Sequence, residues 1–251
     1  MATTLIILAH PNRNSFCGAW ADATAAAARA AGDTVLWADL SGAAFDPREG
    51  ADHYPDPPQG FDPLKAQEAG PLPMQVAEHV DMIRRADRLV FHFPIWWFAP
   101  PAVLKGWFDR VLAHGTLHNV EERFDTGRCR GKSALFCVTT GATASECGLG
   151  GKEGDLRLLL WPSAYTLRYL GMSVLEPECV HGVHGYHEGA AHAALEARLS
   201  EVLANQASLY RSWSSRPRVA FNSDAEFTEE GRLRASAPSH SPFIRHPGDN
   251  S

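Results

Sequence analysis

The segment that most constrains the fold runs over residues 88–111, where a short apolar run leads through an aromatic turn into a helix-prone stretch. The apolar run, residues 89–93, has the length of a buried strand and stops at Pro94. Pro100 and Pro101 suit the first turn of a helix, where a missing N–H leaves no acceptor unpaired. Apolar residues then recur at helical spacing at Val103, Leu104, Trp107, Phe108 and Val111. The segment therefore predicts a strand, a turn at its carboxyl end and a helix.

The turn itself is unusually aromatic, because Trp96, Trp97 and Phe98 follow one another. Aromatic residues after a strand usually belong to the core. Two adjacent indoles on one loop, however, cannot easily face the same core, so we expect one of them to face a cleft. In open α/β sheets the carboxyl ends of the strands form the ligand-binding crevice. The turn therefore predicts a lining for a flat, conjugated ligand.

Similar apolar runs alternate with helix-prone stretches along the chain. The predicted strands are residues 3–9, 34–38, 89–93, 132–140 and 173–180. The predicted helices are residues 16–31, 74–86, 102–111, 156–170 (interrupted early by Pro162) and 188–213. Apolar runs without polar alternation are typical of strands covered on both faces. The pattern predicts an α/β fold with a doubly wound, five-stranded parallel sheet.

Two segments do not fit this alternation. Residues 39–73 are rich in Pro, Gly and Asp, and we interpret them as a long surface excursion that can hold one short helical turn. Residues 214–251 are polar and rich in Ser, Arg and Pro, which indicates either an extended arm or partial disorder. We therefore predict a domain over residues 1–213 and a C-terminal extension over residues 214–251.

Three loops at the carboxyl edge of the predicted sheet carry chemistry: residues 10–15, 94–98 and 139–155. The first precedes an Ala-rich helix that Asn14 or Ser15 can cap, and a helix N-terminus can seat a phosphate, with His10 as an added donor. This loop lacks the glycine patterns of dinucleotide-binding Rossmann turns and of P-loops. The third loop is rich in Gly, Thr and Ser, which allow close backbone approach and hydroxyl donation. One ligand that contacts all three loops is the simplest hypothesis.

Composition excludes several other classes of protein. The net charge of −6 and the pI of about 6.0 argue against a broad nucleic-acid-binding or anionic-membrane surface. No apolar run is long enough to cross a membrane, and the first ten residues read as a strand. The five widely spaced cysteines favour a reducing, cytoplasmic compartment. The spacing of Cys179, His181, His184 and His187 matches no standard zinc pattern, so we interpret that segment as a rim loop and predict no metal.

Four motifs together resemble the flavodoxin-like NAD(P)H:quinone oxidoreductases of the DT-diaphorase type. They are L-A-H-P-N-R-N-S-F before the Ala-rich helix, F-P-I-W-W-F-A-P-P-A-V-L-K-G-W-F-D-R-V, T-T-G with L-L-W-P downstream, and G-M-S-V-L-E-P. The resemblance covers about the first 190 residues in order, and the second motif is highly specific. It implies a homodimer with the pocket at the subunit interface, FAD as cofactor, and NADH or NADPH as the donor that reduces a quinone-type acceptor by a ping-pong mechanism.

The resemblance also implies a set of flavin contacts. His10, Ser15, Phe16 and Cys17 would lie near the FAD pyrophosphate. The isoalloxazine would run along Pro94, Ile95, Trp96, Trp97 and Phe98, with Thr139, Thr140, Gly141 and Ala142 at its edge. Backbone donors and apolar faces at these positions would tune the cofactor, which supplies the redox chemistry.

The sequence departs from the family pattern at the catalytic positions. The family's Tyr and His in the third loop correspond to Cys147 and Glu153, and a carboxylate donates a proton at neutral pH only if its pKa is raised. His118 and Val120 replace the paired Tyr residues of the quinone pocket. Two alternatives therefore stay open. One is FMN in place of FAD, and the other is a flavodoxin-like regulatory subunit, resembling the ancillary proteins of potassium efflux systems, with incidental reductase activity.

Overall fold

The computed structural model describes residues 1–57 and 59–248, and the apolar runs within them form one parallel sheet. Its strands are β1 (Thr3–Leu8), β2 (Thr34–Asp39), β3 (Arg88–Pro94), β4 (Ser133–Thr139), β5 (Ser173–Val174) and β6 (Glu178–Val180). The order across the sheet is β2-β1-β3-β4-β5, and β6 also pairs with β4. This order reverses direction between β1 and β3, which is the switch point where α/β sheets open a crevice. The predicted doubly wound sheet is confirmed, with a sixth short strand added.

The helices cover both faces of the sheet. They are α1 (Phe16–Ala30), α2 (Pro63–Ala69), α3 (Met74–Arg85), α4 (Ala102–Val111), α5 (Leu156–Tyr169), α6 (Gly189–Ala204) and α7 (Gln206–Arg211). Alternate residues of each strand point to opposite faces. Leu5 and Ile7 therefore pack in the core beneath α3, α4 and α5, whereas Ile6 and Leu8 pack beneath α1, α6 and α7. Among residues 1–57 and 59–248, no helix combines the length and the apolar character that crossing a bilayer requires.

Three predicted elements differ in detail. The strand predicted over residues 173–180 is interrupted, because Pro177 has no N–H to donate and Glu176 turns its own N–H to Pro217 O at 2.9 Å. The helix predicted over residues 188–213 bends at Asn205 into α6 and α7. The predicted interruption of α5 at Pro162 is wrong, because the helix continues through this proline, which lies on its exposed face.

The surface excursion contains more helix than predicted. Besides a 3₁₀ turn at Ala51–His53 it holds α2, which begins with Pro63 at its first position. The Asp62 carboxylate caps this helix by accepting from the N–H groups of Leu64 and Lys65. The single-turn interpretation missed this helix because short helices depend on caps rather than on a sustained apolar period.

The C-terminal extension packs on the sheet edge within the described residues. Arg218 forms an antiparallel bridge with Leu175, and the Val219 N–H donates to Val174 O at 2.9 Å. Further along, the Phe243 ring stacks on Trp161 of α5 with centroids 4.7 Å apart. Residues 218–243 therefore contact both the sheet edge and α5.

Candidate functional site

The three loops that the sequence singled out lie at one edge of the sheet. Register aligns Pro94 with Thr139 across β3 and β4, and the Ala9 N–H after β1 donates to His92 O at 3.0 Å. A cleft of about 330 Å³ opens there. Its lining comprises Pro94, Ile95, Trp96, Trp97, Thr139, Thr140, Gly141 and Val183. The second and third loops therefore form one cavity.

The aromatic turn is a tight hairpin that carries its side chains outward. Trp96 and Ala99 exchange both backbone hydrogen bonds, at 3.0 and 3.1 Å. Between them Trp97 and Phe98 have φ angles of +49° and +62°, a conformation that such hairpins normally reserve for Gly or Asn. The Trp97 side chain is 93% exposed and Trp96 is 44% exposed, so neither indole belongs to the core. Strained backbone that displays apolar rings is typical of a functional surface.

The first loop places the N-terminus of α1 beside this turn. Ser15 is the N-cap, with its Oγ accepting from the Gly18 N–H at 3.3 Å. The N–H groups of Phe16 and Cys17 lie in the first helical turn, outside the i→i−4 ladder, at the positive end of the dipole. The His10 ring lies 5.7 Å from the Trp96 ring, which links the first loop to the second. The arrangement provides an anion-binding helix end next to a flat apolar surface.

Gly18 lets the first loop fold back closely on α1. A Cβ atom at this position would lie 2.0 Å from the Arg13 carbonyl oxygen. Cys17, the neighbouring residue, is buried, and its Sγ lies 3.5 Å from Thr139 Oγ1. Burial raises the pKa of the Cys17 thiol to about 11, so it is neutral at physiological pH. Cys17 therefore connects α1 to β4 as a structural thiol.

The third loop begins with a hydrogen-bonded bend. Ile95 donates its N–H to Thr139 O at 2.8 Å, which ties the aromatic turn to the end of β4. The Thr140 Oγ1 donates to Ala142 O at 2.9 Å and thus bends the chain around Gly141. Gly141 is exposed and borders the cleft. The backbone of residues 139–142 is therefore held in one conformation at the cleft rim.

The predicted catalytic residues lie behind this rim and do not line the 330 Å³ cleft. Cys147 is buried, and its thiol donates to Thr140 Oγ1 at 3.7 Å. Glu153 is half-buried, and its N–H donates to Glu146 O at 3.0 Å. Hydrogen bonds from Thr143, together with the Lys152 ammonium at 3.1 Å, lower the pKa of Glu146 to about 2. Cys147 thus reaches the site through Thr140, whereas the contacts of Glu153 are with its own loop.

Sequence reasoning missed the contribution of the loop that follows β6. Val183 lines the cleft, and its N–H donates to Thr140 O at 2.9 Å. The His181 Nδ1 lies 3.0 Å from Thr140 Oγ1. The sequence contained a signal for this contribution, because the strand predicted over residues 173–180 ends at the same edge of the sheet as β4, and the loop that follows it must lie there. No group of three or more His, Cys, Asp or Glu side chains converges on a metal site in the described part of the chain.

His118 and Val120 lie away from this cleft. The His118 Nε2 lies 3.0 Å from Leu112 O, and its ring borders a groove of about 650 Å³ between α4 and α5. Burial, the neighbouring His114 and Arg128 lower the pKa of His118 despite this carbonyl contact. Val120 is 69% exposed. In the described part of the chain, neither residue lines the cleft beside the aromatic turn.

The site fits an FAD or FMN molecule by the chemistry of its donors. The helix end at Ser15 suits a phosphate, and the exposed rings of the turn suit the face of a planar heterocycle. The open backbone at Gly141 can approach the ring edge, because nothing lies within 4 Å of its Cβ position. These features are adjacent in the structure, so one extended ligand can contact all of them.

Comparisons with known proteins agree on the fold. A family model described as a flavodoxin-like fold matches residues 2–204. The chain is 35% identical over 187 residues to NAD(P)H dehydrogenase (quinone) 1 of Rattus norvegicus, an alignment that covers 71% of this chain and 68% of that protein. It is equally identical over 187 residues to ribosyldihydronicotinamide dehydrogenase (quinone) of Mus musculus, with 71% and 81% covered. A crystal structure from Klebsiella pneumoniae superposes with a TM-score of 0.82 at 25% identity, over 93% of this chain and 94% of that one.

Proposed function

Because this chain belongs to the family with the flavodoxin-like fold, we propose that it is an FAD-dependent NAD(P)H oxidoreductase that reduces quinones or related electron-poor aromatics. The observation that carries the proposal is the strained turn at Trp97 and Phe98, whose Trp96 and Trp97 line one cleft with the Thr139–Gly141 segment. The relatives in rat and mouse are both dehydrogenases whose names specify a quinone. A bound flavin would accept two electrons from NADH or NADPH and pass them to the acceptor.

In this proposal each loop holds a different part of the cofactor. The first-turn amides of α1, with His10, Ser15, Phe16 and Cys17, hold the pyrophosphate. Residues 94–98 would cover the isoalloxazine, and residues 139–142 would contact its edge. Of these residues, 94–97 and 139–141 line the cleft, whereas Phe98 and Ala142 do not. The rings of the turn exclude water from one side of the cleft, while the fixed backbone of the third loop orients the cofactor without rearrangement.

The same pocket would serve donor and acceptor in turn, which is the ping-pong order. We keep Cys147 and Glu153 as the proposed catalytic pair, since they occupy the positions that carry Tyr and His in the resembling family. Cys147 would act through the Thr140 hydroxyl that it contacts. We further propose a homodimer with the active site at the interface, and a cytoplasmic location in which the five free thiols stay reduced.

Steady-state NADH oxidation with a simple benzoquinone tests this function. We expect acceptor-dependent turnover in flavin-loaded protein and parallel double-reciprocal lines when both substrates are varied. Converging lines would contradict the ping-pong order. Bound flavin without acceptor-dependent turnover would overturn the enzymatic proposal and favour a regulatory redox subunit.

The identity of the flavin is tested separately. Cofactor released from purified protein by denaturation is separated by chromatography against FAD and FMN standards. We expect FAD, as the resemblance to the DT-diaphorase type implies, although the phosphate site at the start of α1 would serve either flavin. Recovery of FMN alone would replace FAD and leave the ring-binding assignments in place.

A further inference from the structure

The hydroxyl group of Thr140 is the centre of a small hydrogen-bond network at the cleft rim. Thr140 is buried and lines the cleft. Its Oγ1 donates to Ala142 O at 2.9 Å. The same oxygen lies 3.0 Å from His181 Nδ1 and 3.7 Å from Cys147 Sγ. Three segments of the chain therefore meet at one hydroxyl group.

The proton count of this network defines the tautomer of His181. A hydroxyl group has one proton to donate and two lone pairs that accept. Since the Thr140 proton goes to Ala142, the oxygen accepts from its other two neighbours. With the Thr140 proton on Ala142 O, the network favours the Nδ1–H tautomer of His181 and leaves Nε2 as the basic nitrogen. Nε2 makes no hydrogen bond within the described residues and is accessible to water.

Charged and titratable groups surround His181 on several elements. From α6 the Arg198 Nη2 donates to His181 O at 2.7 Å. His184 and His187 stack on each other in the same loop, with centroids 4.0 Å apart. The remaining groups are the Cys147 thiol after β4, the Cys179 thiol on β6, and Glu178, which pairs with Arg216. Burial, followed by the charge of Arg198, lowers the pKa of His181, so its ring is neutral at pH 7.

We propose that His181 is a positioning and proton-holding residue of this site. Its Nδ1–H fixes the Thr140 hydroxyl, and its Nε2 takes up one proton from water when negative charge enters the cleft. The proposal rests on the proposed function. Because the Nδ1–H bond to Thr140 exists in both protonation states, protonation would add a positive charge without releasing the rim backbone.

The proton balance of the proposed reaction has a place for this residue. NAD(P)H, a quinone and one proton give NAD(P)⁺ and a hydroquinone. While the nicotinamide loses its hydride, Nε2 would take a proton from water, and it would release that proton in the half-reaction that forms the hydroquinone. The Cys147 thiol acts as a donor to Thr140 in this network, and the side chain of Glu153 makes no hydrogen bond to Thr140 in the described structure. His181 is therefore the basic group of this network.

The test compares the wild type with His181→Asn, whose amide can still donate to Thr140 but cannot take up a proton. The control is His184→Asn, a neighbouring histidine without a bond to Thr140. The readout is the reduction potential of the bound flavin between about pH 6 and about pH 8. We expect the wild type and His184→Asn to show a tenfold larger change in the equilibrium constant per pH unit than His181→Asn, a slope steeper by about 30 mV for two electrons.

A count of protons taken up on complete reduction by NADH, with an indicator dye in weak buffer, gives the same answer independently. We expect His181→Asn to take up about one proton fewer than the wild type. Equal slopes and equal proton counts would overturn the proposal. Loss of the steep slope in His184→Asn as well would assign the effect to the loop rather than to His181 and would also overturn it.

Nitrogen NMR of ¹⁵N-histidine-labelled protein keeps the proposal testable if the variant does not fold. In flavin-loaded wild type we expect His181 to carry its proton on Nδ1 and to gain a second proton, on Nε2, upon reduction. An Nε2–H tautomer in the oxidised protein, or a ring that stays neutral upon reduction, would overturn the proposal. Failure of the proposed function would look different, because flavin binding or acceptor-dependent turnover would then be absent while the Nδ1–H tautomer remained.

Discussion

Trp97 and Phe98 combine positive φ angles with exposed rings, so stability and ligand binding make opposite demands on these two residues. We expect Trp97→Gly to raise the free energy of unfolding of the flavin-free protein by about 0.5–1 kcal/mol, because glycine adopts φ of +49° without a Cβ clash and the exposed indole contributes no packing. The same variant should bind flavin at least about tenfold more weakly. Urea unfolding and fluorescence titration measure the two effects.

Ala44 supplies the matched control for this variant. It has a φ of +48° and lies on the surface, outside the cleft. Ala44→Gly should therefore give a similar gain in stability and leave the flavin affinity unchanged. If Trp97→Gly bound flavin as tightly as the wild type, the turn would not be the surface that covers the ring.

His92 is fully buried in the middle of β3, and neither of its ring nitrogens has a hydrogen-bond partner among the described residues. Burial lowers the pKa of His92 from 6.5 to about 3. At pH values between these two, the imidazole is therefore protonated in the unfolded chain and neutral in the folded chain. The free energy of unfolding should then fall by about 1.4 kcal/mol for each pH unit below about 6.5. We expect His92→Leu to remove this slope.

Urea unfolding of His92→Leu and wild type at about pH 7.5 and about pH 5 measures the difference. The stability of the variant relative to the wild type should increase by about 2 kcal/mol at the lower pH. His192→Leu makes the same substitution at a side chain that is 59% exposed and should leave the slope unchanged. Equal slopes in the wild type and His92→Leu would show that the His92 ring is protonated as readily in the folded chain as in the unfolded chain, and would contradict the lowered pKa.

At the residue scale, the sequence was sufficient to predict which residues lie at the strand ends but not which side chains contact one another. The Trp96, Trp97 and Thr140 positions were predictable, because strand ends are readable from apolar runs. The contact of His181 with Thr140 was not, because it depends on side-chain directions across two loops separated by 41 residues. Similarly, the positive φ angles of Trp97 and Phe98 contradict local preference and follow from the Trp96 and Ala99 bridge.

At the scale of elements, α7 is anchored by a polar cluster at the amino end of the sheet. Tyr210 donates its hydroxyl to the Asp33 carboxylate at 2.5 Å and contacts Thr4, while Arg88 donates to the same carboxylate at 3.1 Å. Burial alone would raise the pKa of Asp33, but these hydrogen bonds and the charge of Arg88 lower it. The guanidinium also lies 5.2 Å from the ring of Trp213, beyond the end of α7.

Removal of the Tyr210 hydroxyl should therefore weaken this anchor. We expect Tyr210→Phe to lower the free energy of unfolding by about 2 kcal/mol, since an almost buried carboxylate loses a charge-assisted hydrogen bond. The flavin affinity should stay the same, because the cluster lies at the opposite end of the strands from the cleft. Tyr186→Phe, on a ring that is 91% exposed, is the control. Unchanged stability of Tyr210→Phe in urea would show that water replaces the hydroxyl.

The same cluster shows why element boundaries were harder to predict than element types. The continuous helix expected over residues 188–213 breaks at Asn205, so that the Gln206 side chain can accept from the Thr24 hydroxyl at 3.0 Å and Tyr210 can reach Asp33. The apolar period continues across the break and gives no sign of it. The long strands were predicted within about two residues because burial on both faces determines their composition.

For the whole molecule, the alternation of strands and helices was sufficient to predict a doubly wound parallel sheet, because right-handed crossovers leave few alternatives. The conformation of the C-terminal extension could not be predicted from this alternation. Its composition is polar, and its order comes from contacts with α5 and the sheet edge rather than from local propensity. The Arg168 guanidinium shows this, since it donates to Asp125 at 2.5 Å and to Asn222 O at 3.1 Å. We propose that residues 214–251 form an extension whose order depends on the domain of residues 1–213.

A chain that ends at Ser215 tests this dependence. Truncation uncovers the β5 edge at Val174 and the Trp161 ring, which Phe243 stacks upon. We expect the truncated chain to unfold at a lower temperature and to aggregate more strongly, since an unpaired strand edge is a template for association. Flavin binding should persist, because the residues that line the cleft all precede the extension. Phe243→Ala, which removes only the stack, should lower the free energy of unfolding by about 1 kcal/mol, less than the truncation. If the truncated chain unfolded at the wild-type temperature, the extension would contribute no stability in solution and its contacts with α5 would be incidental.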